Sequence, residues 1–284
     1  MIVPTKSWQA DAVAHHYDEL DPFYRDLWGE HLHHGLWCSG TETASEATLQ
    51  LLDLVVAHAR LRPGQAVVDA GAGYGATTRW LAERYGADVT ALTLSPVQYR
   101  YARTIPASPG APTPRYLLDD WLGNTLPDRS ADVVVAIEST EHMADLSGCF
   151  AQLRCVLRPA GPFVVCAWLA CETPTAWEVR FLLEPICREG RLAQLGSLSE
   201  YRAGLQEAGL VVERSDDVSR QVRRTWDVVL HRLVSKLATD RRYRRYLLDA
   251  RQRERLFVWS TLRLALAYRT GSLRYGILSG YREA

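Results

Sequence analysis

Between about residues 47 and 172 the apolar positions switch repeatedly between two spacings. Residues 66–70 (AVVDA), 88–92 (DVTAL), 116–118 (YLL), 132–137 (DVVVAI) and 162–168 (PFVVCAW) are short apolar runs. Runs of this length predict strands, and 132–137 is apolar enough to be buried on both faces. Longer stretches of helical composition separate them: 51–59 with its flanks, 76–85, a helix entered at Pro96 with Ser95 as N-cap, and 146–157, stopped by Pro159 and Gly161. Strands alternating with helices predict βαβ units and a mostly parallel sheet with right-handed connections.

After residue 172 the pattern changes. A mixed, helical insertion runs to about 198, followed by a helix over 199–208 that ends at Gly209 and a sixth strand over 210–213. Positions 226, 229, 230, 233, 234 and 237 are apolar, a helical stripe. Basic helices continue to about 268, and 272–281 (SLRYGILSGY) closes the sheet. The expected fold is α/β and Rossmann-like: seven mostly parallel strands with helices on both faces. An N-terminal helical cap (1–46) precedes the core (47–172), the insertion with the sixth strand (173–220), a helical lid (221–270) between strands six and seven, and the last strand (271–284).

The turn after the first strand reads Asp69-Ala-Gly71-Ala-Gly73-Tyr-Gly75. Glycines let the backbone turn sharply and approach a ligand, and the next helix offers free N–H groups. The G-x-G-x-G spacing puts the third glycine out of register for a dinucleotide. A carboxylate at the strand end would repel a pyrophosphate but suits a ligand with an ammonium group. Thr93 ends the second strand, where a dinucleotide site would place an acid. S-adenosylmethionine (SAM) fits these features better than NAD.

Longer segments point the same way. VVDAGAGYGATTRWLA resembles motif I of class I SAM-dependent methyltransferases. ALTLSPVQ, LPDRSADVVVAIESTEHMAD and HHYDELDPFYRDLWGEHLHHGLW resemble blocks of the γ-tocopherol methyltransferase-like family, which includes bacterial natural-product enzymes. LRYGILSGYRE resembles its closing strand, so the likeness spans nearly the whole chain in order. It implies that Asp69, Gly71 and Gly73 hold the methionine end of SAM, with Thr93, Leu94 and Gln98 near the ribose. Thr93 departs from the acid of many class I enzymes, but this family often carries Ser or Thr there. Asp120 would meet the adenine amino group, beside Trp121 and with Asp119 one residue away; Glu138 would lie beneath the methionine moiety, and Tyr17 over SAM.

Methyl transfer needs alignment and exclusion of water, plus a base when the acceptor must lose a proton. His142, directly after strand four, is the first candidate, because its ordinary pKa lies near neutrality; its plainer role is packing. His33 is a second candidate. Glu172, after strand five, is a third, for carbon methylation, unless it is a surface carboxylate. His31, His34 and Trp37 belong to the cap segment and are read as acceptor contacts. No carboxylate or distant ligand accompanies the histidines, so no metal site is assigned. Tyr243 and Trp259 are read as lid contacts to the acceptor, against ordinary packing.

Composition adds limits. The formal charge is zero, yet residues 220–271 carry fourteen Lys/Arg against four Asp/Glu. This basic lid either shows a solvated face or meets an anionic ligand; a prenyl diphosphate acceptor would bring Mg²⁺, and otherwise no Mg²⁺ is expected. Six scattered cysteines form no CxxC, and no run of 18 apolar residues or signal-peptide pattern is present, so a cytoplasmic protein with reduced thiols is expected. The N-P-P-Y motif of nucleic-acid adenine methyltransferases is absent. The expected activity is methyl transfer to a lipophilic, aromatic or prenylated small molecule on O, N or C. The alternatives are a methyltransferase-like cyclase that binds SAM without methylating and a prenyl diphosphate C-methyltransferase. A homo-oligomer is left open.

Overall fold

The computed structural model describes residues 1–4, 8–252 and 254–284. The side chains of Phe257 and Val258 lie outside that description. Seven strands form one sheet in the order β3-β2-β1-β4-β5-β7-β6. They are β1 (Ala66–Ala70), β2 (Asp88–Thr93), β3 (Arg115–Leu118), β4 (Val133–Ile137), β5 (Pro162–Ala170), β6 (Leu210–Asp217) and β7 (Leu273–Arg282). β1 to β5 pair in parallel, while β7 runs antiparallel to both β5 and β6. The expected seven-stranded α/β sheet is therefore present, and β5 and β6 reach further than their apolar runs.

The reason for that extension is the neighbour. β7 lies between β5 and β6 and pairs with both along nearly its whole length. Its ladder carries polar positions such as Arg214 and Asp216 that a hydrophobic pattern leaves out. Val133–Ile137 is buried at every position, as a central parallel strand should be.

Helices α1 (Ala10–Leu27), α2 (Ala44–Ala59), α3 (Ala76–Tyr85), α4 (Pro96–Thr104) and α5 (Leu146–Val156) accompany the first five strands. Ser95 does cap α4, its hydroxyl accepting from the Gln98 N–H at 3.1 Å. The insertion holds α6 (Ala176–Glu178), a π-turn (Val179–Leu183), α7 (Glu184–Glu189) and α8 (Leu198–Glu207). Between β6 and β7 lie α9 (Ser219–Val222), α10 (Arg224–Thr239), α11 (Arg241–Leu248) and α12 (Phe257–Thr270).

Two apolar clusters fill the faces of the sheet. One joins α2, α3, α7, α10 and α12; the other joins α5 and α8. A third cluster, Leu20, Leu27, Leu233 and Tyr243 with Phe23 and Tyr246, fastens the lid to the cap. Polar pins fasten the cap to the core: Asp18 accepts from Ser95, Asp21 from Tyr74 at 2.7 Å, and Glu30 pairs with Arg79. Cap and lid thus meet over the C-terminal ends of the parallel strands, where open α/β sheets bind ligands. Among the described residues no helix is long and apolar enough to cross a membrane.

Candidate active site

The glycine turn shows why each glycine is there. Gly71 has φ +93°, and a Cβ on it would stand 2.3 Å from the Ser139 Cβ. Gly75 has φ +71°, and its Cβ would stand 2.6 Å from the Tyr116 ring. Both demands exclude any side chain. The turn forms the wall of a cavity of about 180 Å³ under the cap. Asp69, Gly71 and Gly73 line one part, Thr93, Leu94 and Gln98 another, and Asp119, Asp120 and Trp121 a third, all at the ends of β1, β2 and β3. Tyr17, His31, His33, Glu138 and His142 line the same cavity.

The details suit the cofactor that the motifs imply. Asp69 is buried, with one oxygen accepting from Thr78 Oγ1 at 2.7 Å. Burial pushes its carboxyl up to about 6, so a cationic partner would restore its charge. Thr93 donates to Gln98 Oε1 at 2.9 Å, so these two are fixed together. His31 offers a buried Nδ1 that has no partner, and burial pushes its pKa down to about 3. His33 is neutral in character for the same reason, with Nδ1 on the His34 carbonyl at 2.8 Å. The Trp121 indole turns away into the core, donating to the Cys149 carbonyl at 3.1 Å.

A second cavity, about 80 Å³, adjoins the first. Tyr17, Leu32, Glu138 and His142 line both. The rest of its wall includes the aromatic Tyr24, Trp28, Trp168 and Trp226, the acidic Glu141 and Glu189, and His16, Ile186 and Leu192, under Ser260, Thr261 and Leu264 of α12.

Glu138 stands at the junction in a left-handed conformation, φ +52°. One oxygen accepts from the His34 N–H (2.7 Å), His34 Nδ1 (3.0 Å) and the Tyr275 hydroxyl (2.8 Å); the other accepts from Trp168 Nε1 (2.7 Å). Burial alone would push this carboxyl up, but its donors, His34 first, keep it below the ordinary carboxylate value. Hydrogen bonds to a charged group are worth about 1.5–3 kcal/mol each, so four of them offset a penalty of several kcal/mol. The Trp226 indole N–H donates to His34 Nε2 at 2.8 Å, so His34 carries its proton on Nδ1.

Three residues on, Glu141 has the opposite state. Burial, reinforced by Glu138, pushes it up to about 8, so it is protonated at neutral pH. His142 follows. Burial pushes its pKa down to about 4. Its Nδ1 lies 3.0 Å from the Arg191 carbonyl, which can only accept, so Nδ1 bears the proton. Nε2 is then an acceptor, and the Tyr17 hydroxyl donates to it at 2.9 Å. The pair is half-buried at the junction of the two cavities.

Five sequence expectations are corrected. Glu172 faces away from both cavities and accepts from the Ser199 N–H at 3.0 Å at the start of α8. His34 supports Glu138 from behind rather than touching an acceptor. Trp37 is buried, its indole N–H donating to the Glu42 carbonyl at 3.2 Å. Tyr243 is buried against Phe23, ring centres 4.8 Å apart, and joins lid to cap. Trp259 is 55% exposed on the outer face of α12. Tyr24, Trp28, Trp168, Trp226 and Glu141 went unassigned; only the E-x-x-E-H spacing could have marked Glu141.

The family of mycolic acid cyclopropane synthetases matches residues 5–252. The chain is 34% identical over 213 residues to 27-O-demethylrifamycin SV methyltransferase of Amycolatopsis mediterranei (strain S699), covering 74% of this chain and 77% of that protein. It is 30% identical over 236 residues to a probable chloroplastic tocopherol O-methyltransferase of Oryza sativa subsp. japonica, covering 78% of this chain and 65% of that protein. The solved cyclopropane synthase MmaA2 from Mycobacterium tuberculosis has the same fold, with a TM-score of 0.84 at 20% identity over 98% of this chain and 100% of that one. The tocopherol-type likeness and the Rossmann-like fold read from the motifs are borne out.

Two outcomes are expected. SAM should bind about tenfold more tightly at pH 7.5 than at pH 5, because Asp69, raised to about 6, is neutral below that pH and charged above it. Calorimetry checks this, and Asp69→Asn should flatten the dependence. Gly71→Ala should abolish SAM-induced thermal stabilisation and lower the melting temperature, since the added Cβ displaces Ser139; an unchanged response to SAM would contradict the close approach.

Proposed function

The chain belongs to the mycolic acid cyclopropane synthetase family of SAM-dependent methyltransferases, and on that premise we propose that it methylates an acidic hydroxyl, phenolic or enolic, of a lipophilic small molecule. The observation that carries this reading is the half-buried Tyr17–His142 hydrogen bond at the junction of the two cavities. The first cavity takes the cofactor and the second the acceptor. Bound SAM supplies an electrophilic methyl group, and transfer requires the acceptor atom in line with it and water excluded.

The chain's own residues then do three things. The aromatic walls, Tyr24, Trp28, Trp168 and Trp226, enclose a flat or greasy acceptor and keep the reaction dry. Tyr17 oxygen accepts the acceptor's hydroxyl proton while its own proton passes to His142 Nε2. The O–H bond breaks as the O–CH₃ bond forms, and His142 carries the positive charge until it loses the proton to solvent. Glu138, ionised nearby, favours that transient imidazolium. A base of such low pKa suits an acidic hydroxyl better than an aliphatic alcohol.

Anionic acceptors fit poorly. The second cavity presents Glu138, Glu141 and Glu189 and, among the described residues, no Lys or Arg. The nearest arginines are engaged, Arg263 with Glu189 and Arg191 with Glu254. A prenyl diphosphate, its Mg²⁺ and a phosphate backbone therefore have no place in this reading, which is of a cytoplasmic enzyme acting on small molecules. A proton relay is also superfluous for a cyclase that binds SAM without methylating.

Tyr17→Phe and His142→Ala should each lower kcat about 100-fold or more, as loss of a general base does, while SAM affinity stays within about twofold. The assay is S-adenosylhomocysteine formation with a panel of lipophilic phenols and hydroquinones, with mass spectrometry to locate the methyl group. A product methylated on carbon, or collapse of SAM affinity, would overturn the reading.

A further inference from the structure

Glu254 lies in the turn between α11 and α12, its side chain only 4% exposed. Each carboxylate oxygen has a different partner. Oε1 meets the Arg191 guanidinium, and Oε2 lies 2.8 Å from His16 Nδ1. Both partners lead to the Tyr17–His142 pair. The Arg191 carbonyl accepts the Nδ1–H of His142. His16 precedes Tyr17 in the chain, and its Nε2 lies 2.8 Å from the hydroxyl of Tyr24, whose ring centre is 5.6 Å from that of Tyr17. One lid carboxylate thus grips both sides of the proton relay.

Arg191 itself is held against its preference. It adopts φ +55°, a left-handed conformation that a non-glycine residue keeps only where its surroundings over-determine it. The backbone is held by the turn that ends α7, with the Leu192 N–H on the Cys187 carbonyl at 2.9 Å, and the side chain by Glu254, the Trp8 ring under the guanidinium at 4.1 Å and the Arg188 carbonyl at 2.8 Å. Of these only Glu254 belongs to the lid, and only Glu254 brings a charge. The turn aims the Arg191 carbonyl at His142, and Glu254 ties that turn to the lid.

We propose that Glu254 is a positioning residue that makes the accepting tautomer of His142 conditional on a closed lid. The tautomer of a histidine is set by the partner of its other ring nitrogen. With Glu254 engaged, the Arg191 carbonyl fixes the proton on Nδ1 and leaves Nε2 free to accept from Tyr17. With the lid turn displaced, Arg191 loses its anion, and the turn that carries its carbonyl loses its tie to the lid. His142 is then free to move its proton to Nε2, where it cannot receive one. The relay is assembled only when the acceptor chamber is covered, which keeps the reaction from starting in a wet site. This rests on the reading of Tyr17 and His142 as the proton relay.

The test reads the tautomer directly. Long-range ¹H–¹⁵N spectra of the full chain, labelled with ¹⁵N-histidine and saturated with S-adenosylhomocysteine, distinguish the two ring tautomers, with His142 assigned by its loss in His142→Gln. Wild type should show the Nδ1–H pattern. Glu254→Gln should convert at least half of the His142 signal to the Nε2–H pattern. Asp227→Asn, which breaks the exposed lid pair with Arg269, should leave it unchanged. If Glu254→Gln does not fold, Glu254→Asp carries the test, since the shorter side chain cannot span both partners and should give a partial conversion. A folded Glu254→Gln or Glu254→Asp with the wild-type pattern, or an Nε2–H pattern in the wild type, would overturn the proposal. A methyl group found on carbon would sink the hydroxyl reading and leave this result standing on its own.

Discussion

Burying the Glu138 carboxylate would cost several kcal/mol without donors to replace its water, and those donors come from three separate parts of the chain. The His34 backbone and ring belong to the cap, Trp168 to β5, Tyr275 to β7, and Glu138 itself to the end of β4. Trp226, from α10, fixes His34 from behind. The one charge therefore ties cap, sheet and lid together, and the left-handed backbone at Glu138 is tolerated because so many contacts hold it. Both cavities exist only where these elements converge on it.

That charge also sets the protonation of its neighbours. Glu141 shares the same acidic, dry surroundings with fewer donors, so it is the carboxyl that keeps a proton. His142, half-buried beside it, stays neutral with its tautomer imposed by a carbonyl. Environments that push adjacent titratable groups apart are a mark of acid–base machinery. Here a pair of carboxyls three residues apart and the histidine after them have three different fates within one turn of chain. Sequence spacing brings them together; burial and donor count decide what each becomes.

The same division explains what could be read from the chain. Strands β1 and β4 and the glycine turn were legible because their constraints are local: alternation, β-branched content, and backbone that only glycine permits. The lining of the first cavity followed, since loops at strand ends must line the cleft of such a sheet. Glu172 follows the same rule of thumb and breaks it, because β5 continues to Ala170 and delivers the next residues to the start of α8. Trp37, Tyr243 and Trp259 are aromatic residues near the cleft in sequence, but which way each ring faces depends on the packing of cap on lid. His34 was grouped with His31 and His33 by spacing; its role behind Glu138 needs Trp226, 192 residues away, to be visible. Tyr24, Trp28, Trp168 and Trp226 come from distant segments and converge only in three dimensions.

The excess positive charge of the lid shows how composition misleads when the partner of each charge is unknown. Arg242 pairs with Asp26 and Asp240, Arg251 with Asp249, Arg269 with Asp227, and Arg263 with Glu189. Most of these pairs lie at the surface, where each is worth at most about 1 kcal/mol. None of these arginines lines the second cavity, and of its carboxylates only Glu189 is met by one of them, Arg263. The chamber's potential is set by Glu138, a few ångströms from its lining groups and screened from water, so it opposes an anion however basic the outer lid is. Selection in the chamber then falls to shape and to the aromatic walls. A neutral, greasy acceptor loses little hydration on entry and gains contact with four aromatic rings, whereas an anion would lose its hydration and meet a fixed negative charge.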